Sequence, residues 1–468
     1  MSETGRPRVL LVGAYERDNF GDLLFLLQTE QYLDGAEVTA AAPFAADMRT
    51  LLDRTIPAFG PLLEGQEYDV VWTVGGEVGA TSLHGAYRMS TPPGVYRAYE
   101  AASPEVRRQM LHRACGATPI DAPYMPRPTA YPGNATAASV LHSIGVAGIS
   151  GMPEHGQAAR LEILREADRV SVRDQLSADL LTAHAVPHRL GPDLVHTVAL
   201  TRPRERPAEP GPVLVQVSEA HLRLTGLTTF AEALARSRHL APFPIRLFLA
   251  GTARGHDSPE AYRQIVTHVR RLCPDRDIDV LPARRPLDLV DAIASARLWV
   301  GLSLHGRIVA SAYGVPRLSL VKRKLDAYAR TWDPDMPYGV TAETLDDAVA
   351  QALSPAVAAR AGTVGEDLAR TADADVRAAV DAVLGEDATS PAVLRARSAR
   401  RFAALEDWRT GQVARLAVRL DERDRTIKEL RGRVGAAESR AAARPADAPV
   451  IGRTLRRARA LRRSVLAR

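Results

Sequence analysis

The stretch that decides the fold is Ser303-Leu304-His305-Gly306-Arg307-Ile308-Val309-Ala310-Ser311-Ala312-Tyr313-Gly314-Val315-Pro316, which follows the apolar Leu298-Trp299-Val300-Gly301. An apolar run ending in glycine, then a histidine, then small residues closed by Gly-Val-Pro, predicts a strand, a tight turn and a helix lying close on a sheet. His305 then stands at the carboxyl end of a strand. Ligands of open α/β sheets bind in the crevice beyond those ends, and a helix N-terminus there offers unpaired N–H groups to an anion. Twelve histidines are present, and most histidines in any chain serve only packing or the surface. The local pattern therefore makes His305 a candidate acid beside an anion-binding turn.

Working outward, strands and helices alternate through the C-terminal half. Val213 to Val217, Ile245 to Ala250, Ile278 to Leu281, Leu298 to Val300 and Arg317 to Val321 read as strands, with helices over Tyr262 to Leu272 and Leu287 to Ala296. That order implies a parallel sheet covered on both faces. The N-terminal half repeats the pattern: the strand Val9 to Val12, a polar glycine loop Gly13 to Asp22, and an apolar helix Leu23 to Leu33. The strand Asp69 to Val74 then leads into Gly75-Gly76-Glu77. Further on come Val140 to Ile149, a helix around Gln157 to Asp168, and Arg169 to Asp174. The proline-dense run from Thr201 to Pro212 can continue neither a helix nor a central strand.

The expected architecture is thus α/β, with two Rossmann-like domains whose parallel sheets face one another across a cleft, plus a C-terminal helical extension. The N-terminal domain covers residues 1–200 and carries the acceptor side, with an irregular insertion at 88–135. A linker spans 201–212, and the donor-side domain with the His305 motif spans 213–387. A helical or coiled-coil extension occupies 388–440, and a flexible linker with a basic tail occupies 441–468. Within the insertion, Tyr87, Tyr96, Tyr99, Tyr124 and Tyr131 either stack on sugar rings or anchor the loop, the second being the more ordinary role for tyrosines. Ser82-Leu83-His84-Gly85 echoes Ser303 to Gly306, which makes His84 a lesser candidate.

The His305 segment resembles the C-terminal motif of the polysaccharide pyruvyltransferase family, in which Arg-x-His precedes a small-residue helix and Gly-x-Pro. Three further stretches agree with that family in the same order: Gly13-Ala14-Tyr15 through Asn19-Phe20-Gly21-Asp22, Val70 to Gly76, and Ser171 to Ser177 followed by Gly191-Pro192-Asp193. The resemblance implies a glycosyltransferase B-like fold. It also implies an enzyme that moves the pyruvyl group of phosphoenolpyruvate onto two hydroxyls of a sugar, forming a ketal and releasing phosphate. The acceptor would be a cell-surface polysaccharide or its precursor, such as a lipid-linked glycan. One position departs from the pattern: Ser303 stands where the family carries arginine, so Arg307, Lys322 or Lys324 is needed to supply a cation.

On this reading His305 is the acid, and Asp22 or Glu77 takes the hydroxyl proton. Arg173, Arg307 and Lys322 hold the anionic donor, since a guanidinium grips carboxylate or phosphate through paired hydrogen bonds. Asn19, Gly75, Gly76 and Gly306 let the backbone approach the substrates. The more ordinary alternatives are that Asp22 caps a helix and that Arg173 pairs with Asp174. Cys115 and Cys273 show no metal-ligand or disulfide spacing, and neither metal nor cofactor is implied. Two other functions remain open: a nucleotide-sugar-dependent glycosyltransferase of the same fold, and a non-catalytic glycan-binding or assembly protein.

The net charge of +6 resides in the tail. Seven arginines and no acid lie between Arg453 and Arg468, leaving 54 basic against 55 acidic residues elsewhere, which argues against a nucleic-acid-binding body. The tail suits peripheral contact with an anionic membrane. No signal peptide or membrane span is apparent, so the expected location is the cytoplasm or the inner face of the membrane. Val413, Leu416, Leu420, Ile427, Leu430 and Val434 recur in steps of three and four, broken at Arg423, as in a short coiled coil through which the chain could self-associate or in a helix folded back on the catalytic body.

Overall fold

Val9-Leu10-Leu11-Val12 and Val70-Val71-Trp72-Thr73-Val74 are unbroken runs without polar alternation, the signature of strands covered on both faces, and both are buried. The computed structural model describes residues 5–442. Its N-terminal half contains β1 (Arg8–Val12), β2 (Glu37–Ala41), a small antiparallel ribbon of β3 (Ala46–Asp47) and β4 (Thr55–Ile56), then β5 (Val70–Val74), β6 (Ala138–Ile144), β7 (Arg169–Val172) and β8 (Arg189–Leu190). Apart from the ribbon, these form one parallel sheet in the order β2-β1-β5-β6-β7-β8. A second parallel sheet, ordered β11-β10-β9-β12-β13, comprises β9 (Val213–Gln216), β10 (Ile245–Leu247), β11 (Ile278–Val280), β12 (Leu298–Gly301) and β13 (Arg317–Ser319).

Two expected strands stop early, for reasons that concern the site. β10 ends at Leu247 because the chain leaves the sheet to meet the other half: the amide of Phe20 donates to the carbonyl of Ala250 at 2.7 Å. β6 ends at Ile144 after a register shift between Leu141 and Ile144, where Ser143 takes a positive φ of 54°. Such a kink in a strand re-aims the chain at a functional edge. Here the Ser143 hydroxyl accepts the amide of Leu194 at 3.0 Å and so fixes the loop that carries Asp193.

The irregular insertion expected at 88–135 is largely helical. Helices run over Leu83–Ser90, Pro93–Ala101 and Pro104–Cys115, followed by short 3-10 turns. Pro93 and Pro104 had signalled loop, but each occupies the first helical turn, where proline's missing N–H costs nothing. Tyr96 and Tyr99 stack at 5.8 Å, and Tyr87 packs on Tyr99 at 5.0 Å. All five tyrosines are buried, so they anchor this segment instead of presenting rings to a ligand.

Both sheets feed one apolar core. Leu11 and Trp72 from the first share it with Trp299 from the second and Ile308 from the helix that follows β12. Phe248 is the hinge pin, edge-on to Phe20 at 5.6 Å and to Trp299 at 4.8 Å. The helix Pro355–Leu384 crosses from the second sheet's helices onto the first sheet. A side chain at Gly365 would come within 1.9 Å of the Ser311 carbonyl, so only glycine permits this approach. Ten residues on, buried Asp375 meets Arg189 at 2.8 Å, His142 at 3.4 Å and Arg169 at 3.5 Å.

After this helix, Pro391–Ala442 forms one long helix. Arg397, Arg400 and Arg401 in its first turns all reach Asp168, at 3.1, 3.1 and 2.7 Å. The compact body ends at Ala404, and Leu405 begins a second unit. The basic tail, from residue 443 on, lies outside the described residues. No described helix is long and apolar enough to cross a membrane.

Removing a buried carboxylate that holds two arginines and a histidine leaves those groups without their shared acceptor. Asp375→Ala is expected to lower unfolding stability by about 2–4 kcal/mol in urea titration, with unchanged far-UV circular dichroism in the native baseline.

Candidate functional site

The carboxyl ends of β5, β7 and β12 point their following turns at one place. β7 delivers Arg173, and the Asp174 side chain caps the next helix by accepting the Ser177 amide at 2.8 Å. The alternative reading, an Arg173–Asp174 pair, does not hold. Arg173 turns instead to Asp193, its Nη1 donating to Oδ2 at 2.9 Å. The other oxygen of Asp193 accepts the Val195 amide at 2.9 Å, and its own amide donates to the Tyr328 hydroxyl at 3.2 Å. Tyr328 belongs to the helix Arg323–Trp332 beyond the second sheet, whose Trp332 indole N–H also donates to the Arg173 carbonyl. The two halves are thus bolted together at the Arg173–Asp193 pair.

His305 lies in the first turn of the helix Leu304–Ala312 and is buried. Ser303, in the place of the family arginine, is the N-cap of this helix, its hydroxyl accepting the Gly306 amide at 3.2 Å. Ser82 caps the helix Leu83–Ser90 in the same way, which explains the echoed tetrapeptide, and His84 there serves the Tyr96 and Tyr99 hydroxyls. His305 Nε2 is 3.3 Å from Arg173 Nη1 and 3.6 Å from Asp193 Oδ2. Arginine only donates and the Asp193 carboxylate only accepts, so Nε2 takes the Arg173 hydrogen bond when it carries a lone pair and gives one to Asp193 when it carries the proton. Burial drives the His305 pKa below its ordinary value, against the pull of Asp193, in keeping with the neutral form. Asp193 is the reverse case: burial would raise its carboxyl, but His305 and Arg173 hold it well below the usual carboxylate range.

Phe25 stands edge-on to His305 at 5.0 Å, with the Arg173 guanidinium over its ring at 5.5 Å. Three glycines shape this packing. A Cβ on Gly21 would lie 1.6 Å from His305 Nδ1, one on Gly75 would strike the Phe25 ring at 2.0 Å, and one on Gly306 would strike Trp299 at 2.0 Å. Gly75 and Gly76 adopt φ of 65° and 76°, the left-handed region that suits glycine. Gly75 and Gly306 were expected to approach substrate; a side chain at either would meet the packing around His305, and one at Gly76 would meet Val78 and Asp22.

A small pocket, open to solvent, lies beside Arg173 and is lined also by Glu77, Leu304, Lys324 and Tyr328. The Glu77 Oε1 is buried with no hydrogen-bond partner. Lys324 brings a second cation. The lysine stands at the exposed rim of the pocket, where partial loss of hydration, reinforced by the Arg173 charge, lowers its ammonium to about 8. Lys322, two residues earlier at the helix N-cap, is not among the lining residues and senses Asp257 instead.

Asn19, not Asp22, caps the helix Phe20–Glu30. Asp22 Oδ2 collects Arg17 at 2.9 Å and Asn19 Nδ2 at 2.8 Å. Burial would raise its carboxyl, yet Arg17 and His305 leave it lowered, an ionised counter-charge away from the pocket lining. Arg307 is a correction. Its two terminal nitrogens are taken by the Ser319 hydroxyl and the carbonyls of Pro337, Asp333 and Met336, at 2.9–3.1 Å, with the Asp333 carboxylate at 2.8 Å. It is 1% exposed and points into the body, bracing the loop after the helix Arg323–Trp332.

Residues 135–321 match the polysaccharide pyruvyl transferase family model. That segment contains Arg173, Asp193 and His305, while Glu77 and Lys324 lie outside it. Among solved structures, a candidate UDP-N-acetylglucosamine 2-epimerase from Listeria monocytogenes is similar at 11% identity, covering 82% of this chain and 99% of that one with a TM-score of 0.50. UDP-GlcNAc 2-epimerase from Neisseria meningitidis bound to UDP-GlcNAc gives 10% identity, 80% and 100% coverage, and a TM-score of 0.46. The first of these bears out the glycosyltransferase B-like arrangement of two sheets as a fold. No curated protein matches the chain.

Thermal unfolding tests the packing around the histidine. Gly21→Ala and Gly306→Ala should each cost about 1–3 kcal/mol through overpacking, whereas Gly94→Ala, with open space around it, should cost nothing.

Proposed function

We propose that the chain is a transferase that moves the pyruvyl group of phosphoenolpyruvate onto two hydroxyls of a sugar, in a cell-surface polysaccharide or a lipid-linked precursor. The observation that carries this reading is the convergence of Arg173 and Lys324 on one pocket that also presents the unpartnered Glu77 oxygen, with neutral His305 directly behind Arg173. Two cations suit a small ligand bearing both a carboxylate and a phosphate. The helix Leu304–Ala312 begins at the pocket through Leu304, adding the positive end of its dipole.

The chemistry assigns each group a task. Protonation of the donor's methylene carbon makes the adjacent carbon electrophilic, and a sugar hydroxyl adds there. Cleavage of the carbon–oxygen bond to phosphate then admits the second hydroxyl and closes the ketal. Two hydroxyl protons are released in all; one balances the proton taken up by the methylene carbon, the other leaves on phosphate. Glu77 receives the hydroxyl proton, and His305, behind Arg173 and not itself lining the pocket, supplies a proton to the donor through one intervening water. A dianionic phosphate beside Arg173 raises the His305 pKa, so donor binding converts a neutral imidazole into an acid. Lys324 takes the cationic place that Ser303 vacates.

Isothermal titration with phosphoenolpyruvate and with uridine diphosphate, paired with an assay of phosphate release on glycan acceptors, tests the reading. Phosphoenolpyruvate should bind in preference. Lys324→Ala should weaken binding about 10–100-fold, the worth of one charged hydrogen bond. Because the ammonium is lost as pH rises through about 8, wild-type affinity should fall above that pH by up to about tenfold per unit, and the variant should lack this limb. Preferential binding of uridine diphosphate would instead indicate glycosyl transfer, and glycan binding without phosphate release a non-catalytic role.

A further inference from the structure

Between Val413 and Val434 the long helix carries an apolar stripe that does not close on itself. Val413, Leu416 and Leu420 are 63%, 55% and 60% exposed, large values for aliphatic side chains, and Ile427, Leu430 and Val434 continue the stripe half-exposed. The spacing assigns a heptad: Val413, Leu420, Ile427 and Val434 take the a positions, and Leu416, Arg423 and Leu430 take d. Mainly β-branched residues at a with leucine at d favour two parallel strands.

The flanking charges decide the orientation. The g positions hold Arg419 and Arg433, and the e positions five residues further on hold Asp424 and Glu438, all exposed. In a parallel, in-register pair each g faces the following e of the partner, so Arg419 meets the partner copy's acid at 424 and Arg433 its acid at 438. In an antiparallel pair g faces g, and arginine would meet arginine. Off the seam the helix satisfies its own charge, as with Arg425 and Asp421 at 2.5 Å.

We infer that residues 413–438 form a parallel two-stranded coiled coil with a second copy of this chain. Arg423 at a d position fixes the register at a cost in affinity, as a polar core residue does in such seams. The pairing is an interaction surface separate from the pocket and stands whether or not the donor is phosphoenolpyruvate.

Sedimentation velocity on the full chain over a concentration series tests this directly. The wild type should approach twice the 50.6 kDa chain mass, and Leu416→Glu with Leu420→Glu should return it to the single-chain mass with the melting transition of the body retained. Arg419→Glu/Arg433→Glu and Asp424→Arg/Glu438→Arg should each be monomeric alone and dimeric when mixed. Arg423→Leu should shift the equilibrium toward dimer. Leu430→Cys should cross-link through like residues on oxidation, as only a parallel, in-register pair allows. A wild type that stays monomeric, a dimer untouched by the two glutamates, or a Leu430→Cys dimer that fails to cross-link would each overturn the inference.

Discussion

The buried pair of Arg173 and Asp193 is the constraint on which the rest of the structure depends. Neither side chain is more than 2% exposed, and a lone charge so placed would cost several kcal/mol. Each therefore persists only while the other is in place, and each comes from a different loop at the end of the first sheet. The second sheet closes on the same pair through Tyr328 and Trp332, and His305 rests against it. The docking of the two halves and the placement of the histidine are one structural event. This is why the Ser143 kink matters, since it holds the loop bearing Asp193.

The pocket beside this pair combines opposite electrostatic tendencies. Arg173 stays charged, Lys324 holds its proton less firmly than an ordinary lysine, and His305 is held neutral. An arriving anion favours the protonated form of both titratable groups, so ligand binding and proton uptake are coupled. The carboxylate able to receive a proton, Glu77, enters from the first sheet, and the lysine enters from the second. A site divided in this way is complete only when both halves are joined.

Much of this was legible in the sequence where burial on both faces writes continuous apolar runs, as at β1, β5 and β12. The strand-turn-helix around His305 was equally plain, because glycine and proline punctuate it. The helical insertion was misread: proline marks loops and first helical turns alike, and Pro93 and Pro104 are the latter. Gly191-Pro192-Asp193 was visible as a motif, but its partners lie 20 positions back and 112 or more ahead, beyond any local pattern. Arg307 and Lys324 exchanged expected importance because helical phase decides which side faces the pocket. One turn into the helix, Arg307 points at the body; two residues past Lys322, Lys324 points at the cleft. The capping role of Ser303 was present in Ser-x-x-Gly, hidden by its reading as a missing arginine.

The charge state of His305 carries the account, and nitrogen-15 NMR of histidine-labelled protein, assigned with His305→Gln, measures it most directly. The free protein should show His305 neutral at pH 7 and titrating below the ordinary histidine value of about 6.5, with its pKa rising on addition of phosphoenolpyruvate. A His305 that is already protonated at neutral pH in the free protein, or whose titration is unmoved by the donor, would contradict it.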